Sequence, residues 1–156
     1  MRKLLVLAVL AIVSVTGGTA AAVPDPVIGT WQLNVSKSTF TPGPAYKSQV
    51  RTYSQSGQSI ALVIKTVAAD GKEMTRQTTY QRDGKDYPYT GNPDVDSISG
   101  RQVDSNTVKY ILKKAGKAVE TGSRTVSKDG KTLTHKSKGT TAKGEKSEDV
   151  LVFDKQ

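Results

Sequence analysis

From residue 30 onward, apolar and polar side chains alternate with period two, and turn-forming residues break the alternation every eight to twelve positions. A strand sends successive side chains to opposite faces, so this period calls for strands with one buried face, and it leaves no room for a helix of useful length. Trp31, Leu33 and Val35 alternate with Thr30, Gln32 and Asn34. Ile60, Leu62 and Ile64 share one face, while Ala61, Val63 and Val67 share the other. Val108, Tyr110 and Leu112 alternate with Lys109, Ile111 and Lys113.

Read this way, the chain holds ten strand candidates: 30–35, 47–55, 59–67, 72–82, 85–90, 95–103, 107–114, 117–127, 131–139 and 146–154. Asp70-Gly71, Asp83-Gly84 and Asp129-Gly130 fall between runs, and Asp-Gly is a strong hairpin signal because both residues tolerate positive φ. Pro42-Gly43-Pro44 cannot continue a ladder and marks a loop. With hairpin-short links, neighbours in sequence become neighbours in the sheet. An open sheet of this size would leave two exposed edges, and closure removes them. A sandwich is the competing all-β solution, but its Greek-key crossovers need longer connections than this chain has. The expectation is an all-β, antiparallel up-and-down meander barrel of about eight to ten strands.

The stretch before the strands is of another kind. Arg2 and Lys3 precede an apolar run over residues 4–15 that only Ser14 interrupts, and small residues follow to Ala22. The run is too short to span a bilayer, which takes roughly 20 residues. It has the three parts of a secretory signal, and Ala20-Ala21-Ala22 places cleavage before Val23. The expected organisation is a signal peptide over 1–22 and a single barrel domain over 23–156, secreted or periplasmic. No Cys is present, which excludes disulfides, thiolate nucleophiles, thiolate metal sites and a lipid anchor on a cleavage-site Cys. Removing Arg2 and Lys3 lowers the formal net charge from +9 to +7. From Lys109 to Lys146 there are eleven Lys or Arg against Glu120, Asp129 and Glu145. Such a run either attracts an anionic partner, with a weak anionic membrane surface among the candidates, or protects strand edges in solvent.

Few residues offer chemistry. His135, the only imidazole, lies between Thr134 and Lys136 and reads as an incidental strand histidine. One His and no Cys cannot make a zinc site. Asn92, Asp94 and Asp96 have the spacing that opens a calcium loop, but Ser97 stands where Gly is needed and Val103 where the bidentate Glu belongs, so the segment reads as a turn. Asn34-Val35-Ser36 matches a glycosylation sequon, which matters only in a eukaryotic secretory pathway. No nucleophile elbow, phosphate loop or dinucleotide fingerprint occurs, and aromatic residues are not interleaved with the basic run apart from Tyr110. Neither a cofactor, nor a metal, nor nucleic acid is expected.

Two strands stand out. Along 72–82, Thr75, Gln77, Thr79 and Gln81 occupy one face, and Arg76 and Thr78 stand beside Met74 and Tyr80 on the other. Along 117–127, Glu120, Gly122 and Arg124 stand opposite Val119, Thr121 and Thr125. Polar residues on both faces fit a wet barrel interior, and they equally fit mobile edges with outward charges. On the first reading Arg76, Arg124, Tyr80 and Tyr110 are the candidates to meet a ligand.

Gly29-Thr30-Trp31, followed by Leu33, resembles the opening of the calycin barrels, the lipocalins and fatty-acid-binding proteins. That resemblance implies that Gly29 and Trp31 form the barrel base and that Arg124 stacks on the Trp. The ten short-linked strands and the closing Val-Phe-Asp-Lys-Gln at 152–156 resemble the fatty-acid-binding branch, and the whole pattern resembles lipocalin-like exported bacterial proteins. Two features of that branch differ. Its carboxylate-gripping Arg, two residues before the terminal aromatic, falls on Leu151, and the segment 36–46 is too rich in Pro, Gly and Ser for its helical lid. The expectation is therefore a monomeric, non-catalytic exported barrel that binds a small hydrophobic, amphipathic or anionic molecule. The alternative is an envelope interaction protein acting through its basic outer surface.

Overall fold

A computed structural model describes residues 24–141 and 143–156. The signal-type segment and its cleavage point lie outside the described residues. Ten antiparallel strands run β1 (Gly29–Leu33), β2 (Ser48–Ser56), β3 (Ser59–Val67), β4 (Glu73–Tyr80), β5 (Asp83–Thr90), β6 (Ser97–Gln102), β7 (Thr107–Lys114), β8 (Lys117–Val126), β9 (Thr132–Thr140) and β10 (Lys146–Lys155). Each pairs with its neighbours in sequence, and β10 pairs back to β1. The expected all-β meander barrel is the observed fold.

The strand ends fall within two residues of the expected ones, but β1 stops at Leu33, and Val35, expected on its apolar face, is exposed in the 3-10 turn that follows. One link departs from expectation. Asp83-Gly84 is not a hairpin turn: Asp83 already pairs with Arg101 of β6, and the register shifts between Asp83 and Asp86. Gly84, at φ +82°, uses its left-handed freedom to make this irregularity inside β5. Strands β4 and β5 consequently share only the pairs Gln77–Thr90 and Thr78–Tyr89.

Inward-facing side chains sort into two ends. The base is apolar: Trp31, Tyr53, Ile60, Tyr80, Val126, Leu133 and Phe153 are buried there. The segment before β1 covers it. Trp31 Nε1 donates to Val27 O at 2.7 Å, and Asp25 is held by Arg82, whose Nη2 donates to Asp25 Oδ1 at 3.2 Å. The opposite end is the mouth, bordered by the β1–β2 connection. A 3-10 turn over Val35–Lys37 opens that connection. It then runs beside β10, with Thr39 N donating to Val150 O at 2.8 Å and Glu148 N to Thr41 O at 2.8 Å. Phe40 and Tyr46 close it with an edge-to-face ring contact at 5.3 Å.

Candidate functional site

Above the apolar base the barrel interior is polar. Gln49, Arg51, Thr66, Thr78, Arg124, His135 and Ser137 are all buried. Inward alternation puts them there: Gln49, Arg51 and Tyr53 on β2, Arg76 and Thr78 on β4, Glu120 and Arg124 on β8, His135 and Ser137 on β9. They surround a cavity of about 70 Å³ that Arg51, Arg76, Tyr110, Glu120, Arg124 and His135 help to line. A wider space of about 640 Å³ lies at the mouth, and it shares Tyr46, Arg76, Asn92, Glu120 and Asp149 with the inner cavity.

One hydrogen-bonded belt crosses the interior. Arg76 Nη2 donates to Thr66 Oγ1 at 3.2 Å, and Gln49 Nε2 donates to the same oxygen at 3.0 Å. Arg51 Nε donates to Gln49 Oε1 at 2.8 Å. Arg51 Nη1 lies 3.0 Å from His135 Nδ1, and a guanidinium can only donate, so Nδ1 accepts. His135 Nε2 therefore carries the proton and gives it to Tyr110 Oη at 2.9 Å. Tyr110 in turn donates to Glu120 Oε1 at 2.7 Å. His135 is thus no incidental strand residue. It links a cation to a carboxylate, and with both nitrogens engaged it is not free to act as a base.

The electrostatics agree with this assignment. Burial, reinforced by Arg51 and Arg124, holds the His135 imidazole well below its ordinary 6.5, so it is neutral. Burial also pushes Glu120 above 4.5, against the opposing hydrogen bond from Tyr110, and pushes Tyr110 well above 10.0. For Tyr53 burial acts upward as well, but Arg124 and Arg51 outweigh it and draw the phenol below 10.0.

Gly122 makes the belt sterically feasible. It sits across from Tyr110 in the ladder, and a Cβ there would come within 2.4 Å of Tyr110 Oη and 2.2 Å of Lys136 O. Without a side chain at 122, the Tyr110 ring lies across β8 and stacks on His135 at 5.1 Å.

Arg124 stands apart from the belt. The residue is 4% exposed, and its guanidinium lies 5.6, 5.3 and 5.4 Å from the ring centres of Tyr53, Tyr80 and Tyr110. Nη1 donates to Tyr53 Oη at 3.2 Å. Nε and Nη2 have no partner, and neither does Tyr80 Oη or Arg76 Nε. Among the described residues no carboxylate lies within 4.0 Å of the Arg51, Arg76 or Arg124 guanidinium nitrogens.

The candidates read from the sequence therefore converge in part. Arg76, Arg124 and Tyr110 all line the inner cavity, and Tyr80 lies against Arg124 at its lower end. Trp31 is fully buried, but the cation over its ring is Lys155 Nζ at 5.1 Å. Arg124 does not stack on it, because the three tyrosines enclose that guanidinium. Gly29 sits beside Lys155, whose Cε would lie 3.0 Å from any added Cβ. Arg51, Gln49, His135 and Glu120 were not among the candidates. Strict inward parity with Tyr53 would have found the two on β2. Among the described residues no three His, Cys, Asp or Glu side chains gather where they could hold a metal ion.

No protein-family model matches the sequence, and no curated protein matches it either. Solved structures do. The redesigned β-barrel mFAP1 bound to DFHBI is 15% identical, with 83% of this chain and 95% of that one covered at a TM-score of 0.50. EF1p2_mFAP2b bound to DFHBI is 11% identical, with coverages of 84% and 94% and a TM-score of 0.52. Zebrafish ileal bile acid-binding protein complexed with cholic acid is 10% identical, with coverages of 84% and 99% and a TM-score of 0.50. The fold is a calycin-like barrel. At these identities the likeness speaks to the fold alone.

Proposed function

We propose that this chain is an exported, non-catalytic, monomeric barrel that binds one small amphipathic anion, head inward and body in the mouth. The observation that carries this is Arg124: a buried guanidinium whose Nε and Nη2 edge has no partner. Those two N–H groups form the fork that matches the paired oxygens of a carboxylate, sulfate or phosphate. Leaving buried donors unmade costs about 1–3 kcal/mol each, and an anion would relieve it. The inner cavity of about 70 Å³ suits a compact head group, since about 10–15 Å³ of such space already holds one water. The space of about 640 Å³ at the mouth, edged by Phe40, Tyr46, Val95 and Val119, suits the remainder. Structural neighbours of the same fold hold DFHBI or cholic acid, which supports a small-molecule partner. An enzyme reading lacks support because His135 is fully engaged by Arg51 and Tyr110.

Decyl sulfate, used well below its micelle concentration, tests the reading because its charge is fixed. It should raise the melting temperature by mass action, whereas decyltrimethylammonium should not. The affinity should also increase as pH falls toward the ordinary carboxylate range, since Glu120, raised above 4.5 by burial, gains its proton sooner than an exposed carboxylate and stops opposing the anion. Asp149, also raised by burial, acts in the same direction, while His135 stays neutral throughout. Equal stabilisation by the cationic and anionic detergents would refute an anion site. Export rests on Arg2, Lys3, the apolar run and Ala20-Ala21-Ala22. Amino-terminal sequencing of the purified protein should read from Val23, and a mature chain still starting at Met1 would contradict it.

A further inference from the structure

The outer wall of β6–β10 carries a feature that interior ligand binding does not use. Arg101 pairs with Lys109, Lys109 with Ser123, Ser123 with Lys136, and Lys136 with Val150. Alternation turns these side chains outward, and Arg101, Lys109 and Lys136 are exposed. They form one row across four strands, spanning roughly 14 Å at about 4.8 Å per strand. Like charges directly opposite each other, as Arg101 and Lys109 are, destabilise a sheet. Two cations beside the row do meet acids: Lys138 contacts its cross-strand partner Glu148 at 3.0 Å, and Lys113 contacts Asp86 at 2.7 Å. Among the described residues, Arg101, Lys109 and Lys136 have no acid within 4.0 Å. The row borders a surface groove of about 710 Å³ that Ser99, Ile111, Thr121 and Ser123 also line. Glu148, already paired, is the acid that alternation turns to this face within β6–β10, and Asp83, across from Arg101 at the β5 edge, is taken up by Tyr87 Oη at 3.0 Å and Lys85 Nζ at 3.6 Å. Asp149 borders the groove, but its carboxylate accepts from Thr41 N at 3.0 Å on the mouth side.

We infer that this groove is a second binding site, for a linear anionic polysaccharide lying across the strands. Three cations in a line match a charged chain rather than a single ion. A groove receives a strand of polymer, whereas a flat bilayer surface has no ridge to fill it. The hydroxyls of Thr121 and Ser123 offer hydrogen bonds to sugar hydroxyls. The groove lining offers no outward aromatic ring on which nucleic-acid bases could stack, since the Tyr110 ring is turned into the barrel.

Heparin, a linear sulfated polysaccharide, is the probe. Its binding to the full mature protein should weaken about tenfold or more between roughly 50 and 300 mM salt. The triple variant R101Q/K109Q/K136Q should lose about tenfold in affinity. A control with the same charge change away from the row, K72Q/K117Q/K128Q, should lose less than about threefold. All six positions are exposed, and circular dichroism and melting curves establish that both variants remain folded. Absence of salt-sensitive heparin binding overturns the inference. So does an equal loss in the control, which would reduce the effect to net charge. So does tighter binding to phosphatidylglycerol vesicles than to heparin, which would assign the face to a lipid surface.

Discussion

Arg124→Met is expected to lower the affinity for decyl sulfate about a hundredfold, about 2.8 kcal/mol at 1.4 kcal/mol per decade, while leaving the unliganded protein as stable as before or more so. The two halves of this result come from the same geometry. The guanidinium is buried with Nε and Nη2 unpartnered, so the ligand-free protein carries the desolvation of a cation without a full set of contacts. Contacts with Tyr53, Tyr80 and Tyr110 offset part of that, at about 2 kcal/mol or more for a desolvated cation over a ring. Met keeps much of the volume and removes the charge, and exchanging buried charges for apolar groups is often neutral or stabilising by about 1–4 kcal/mol. An arginine kept only to support the fold gives the opposite pattern: a substantial loss of stability and unchanged affinity. Isothermal titration and thermal melting on the one variant separate these cases. Arg51→Met is a useful contrast. That side chain bonds to both Gln49 and His135 and covers Phe153 at 4.7 Å, so its loss breaks the belt and should cost stability as well as affinity.

How much of this was readable beforehand depends on whether a feature is local. Strand β3 and strand β7 occupy the expected 59–67 and 107–114, because a short-linked hairpin repeats one local rule. The inward placement of Arg76 and Arg124 follows from parity within single strands. The belt does not. Arg51 and His135 are 84 residues apart, and they meet only because β10 pairs back to β1 and fixes the register around the closed barrel. No local pattern contains that register. His135 looked incidental for the same reason, since its partners lie on β2 and β7. Val50, an outward-facing apolar residue between Gln49 and Arg51, blurs which face of β2 is buried. At Asp83-Gly84 the local signal was real, but tertiary pairing with β6 claimed the glycine's positive φ for an irregularity within the strand.

The seam that fixes this register depends on the shortest strand in the barrel, and Trp31→Ala should show how strongly. Strand β1 has five residues and meets β10 through three pairs, Trp31–Lys155, Gln32–Asp154 and Leu33–Phe153. Trp31 is fully buried, and it also ties the covering segment to the base through Val27 O. Truncating a buried aromatic of this size costs about 3–5 kcal/mol, from lost transfer energy and the cavity left behind. A chain of this length should then melt more than about 10 °C lower, at a few degrees per kcal/mol. Trp31→Phe separates the contributions. It retains most of the apolar contact but leaves Val27 O unpaired, for a smaller loss of about 1–3 kcal/mol. If β1 closes the barrel, hydrogen exchange in Trp31→Ala should speed up first along β1 and β10, while β6 and β7, on the far wall, stay protected. Uniform loss of protection would assign Trp31 to the general core instead, and a destabilisation below about 1 kcal/mol would mean that the seam is held by the β9–β10 and β2–β3 hairpins without it. Opening the seam also separates Arg51 from His135, so decyl sulfate binding should weaken in proportion to the fraction of molecules that remain closed.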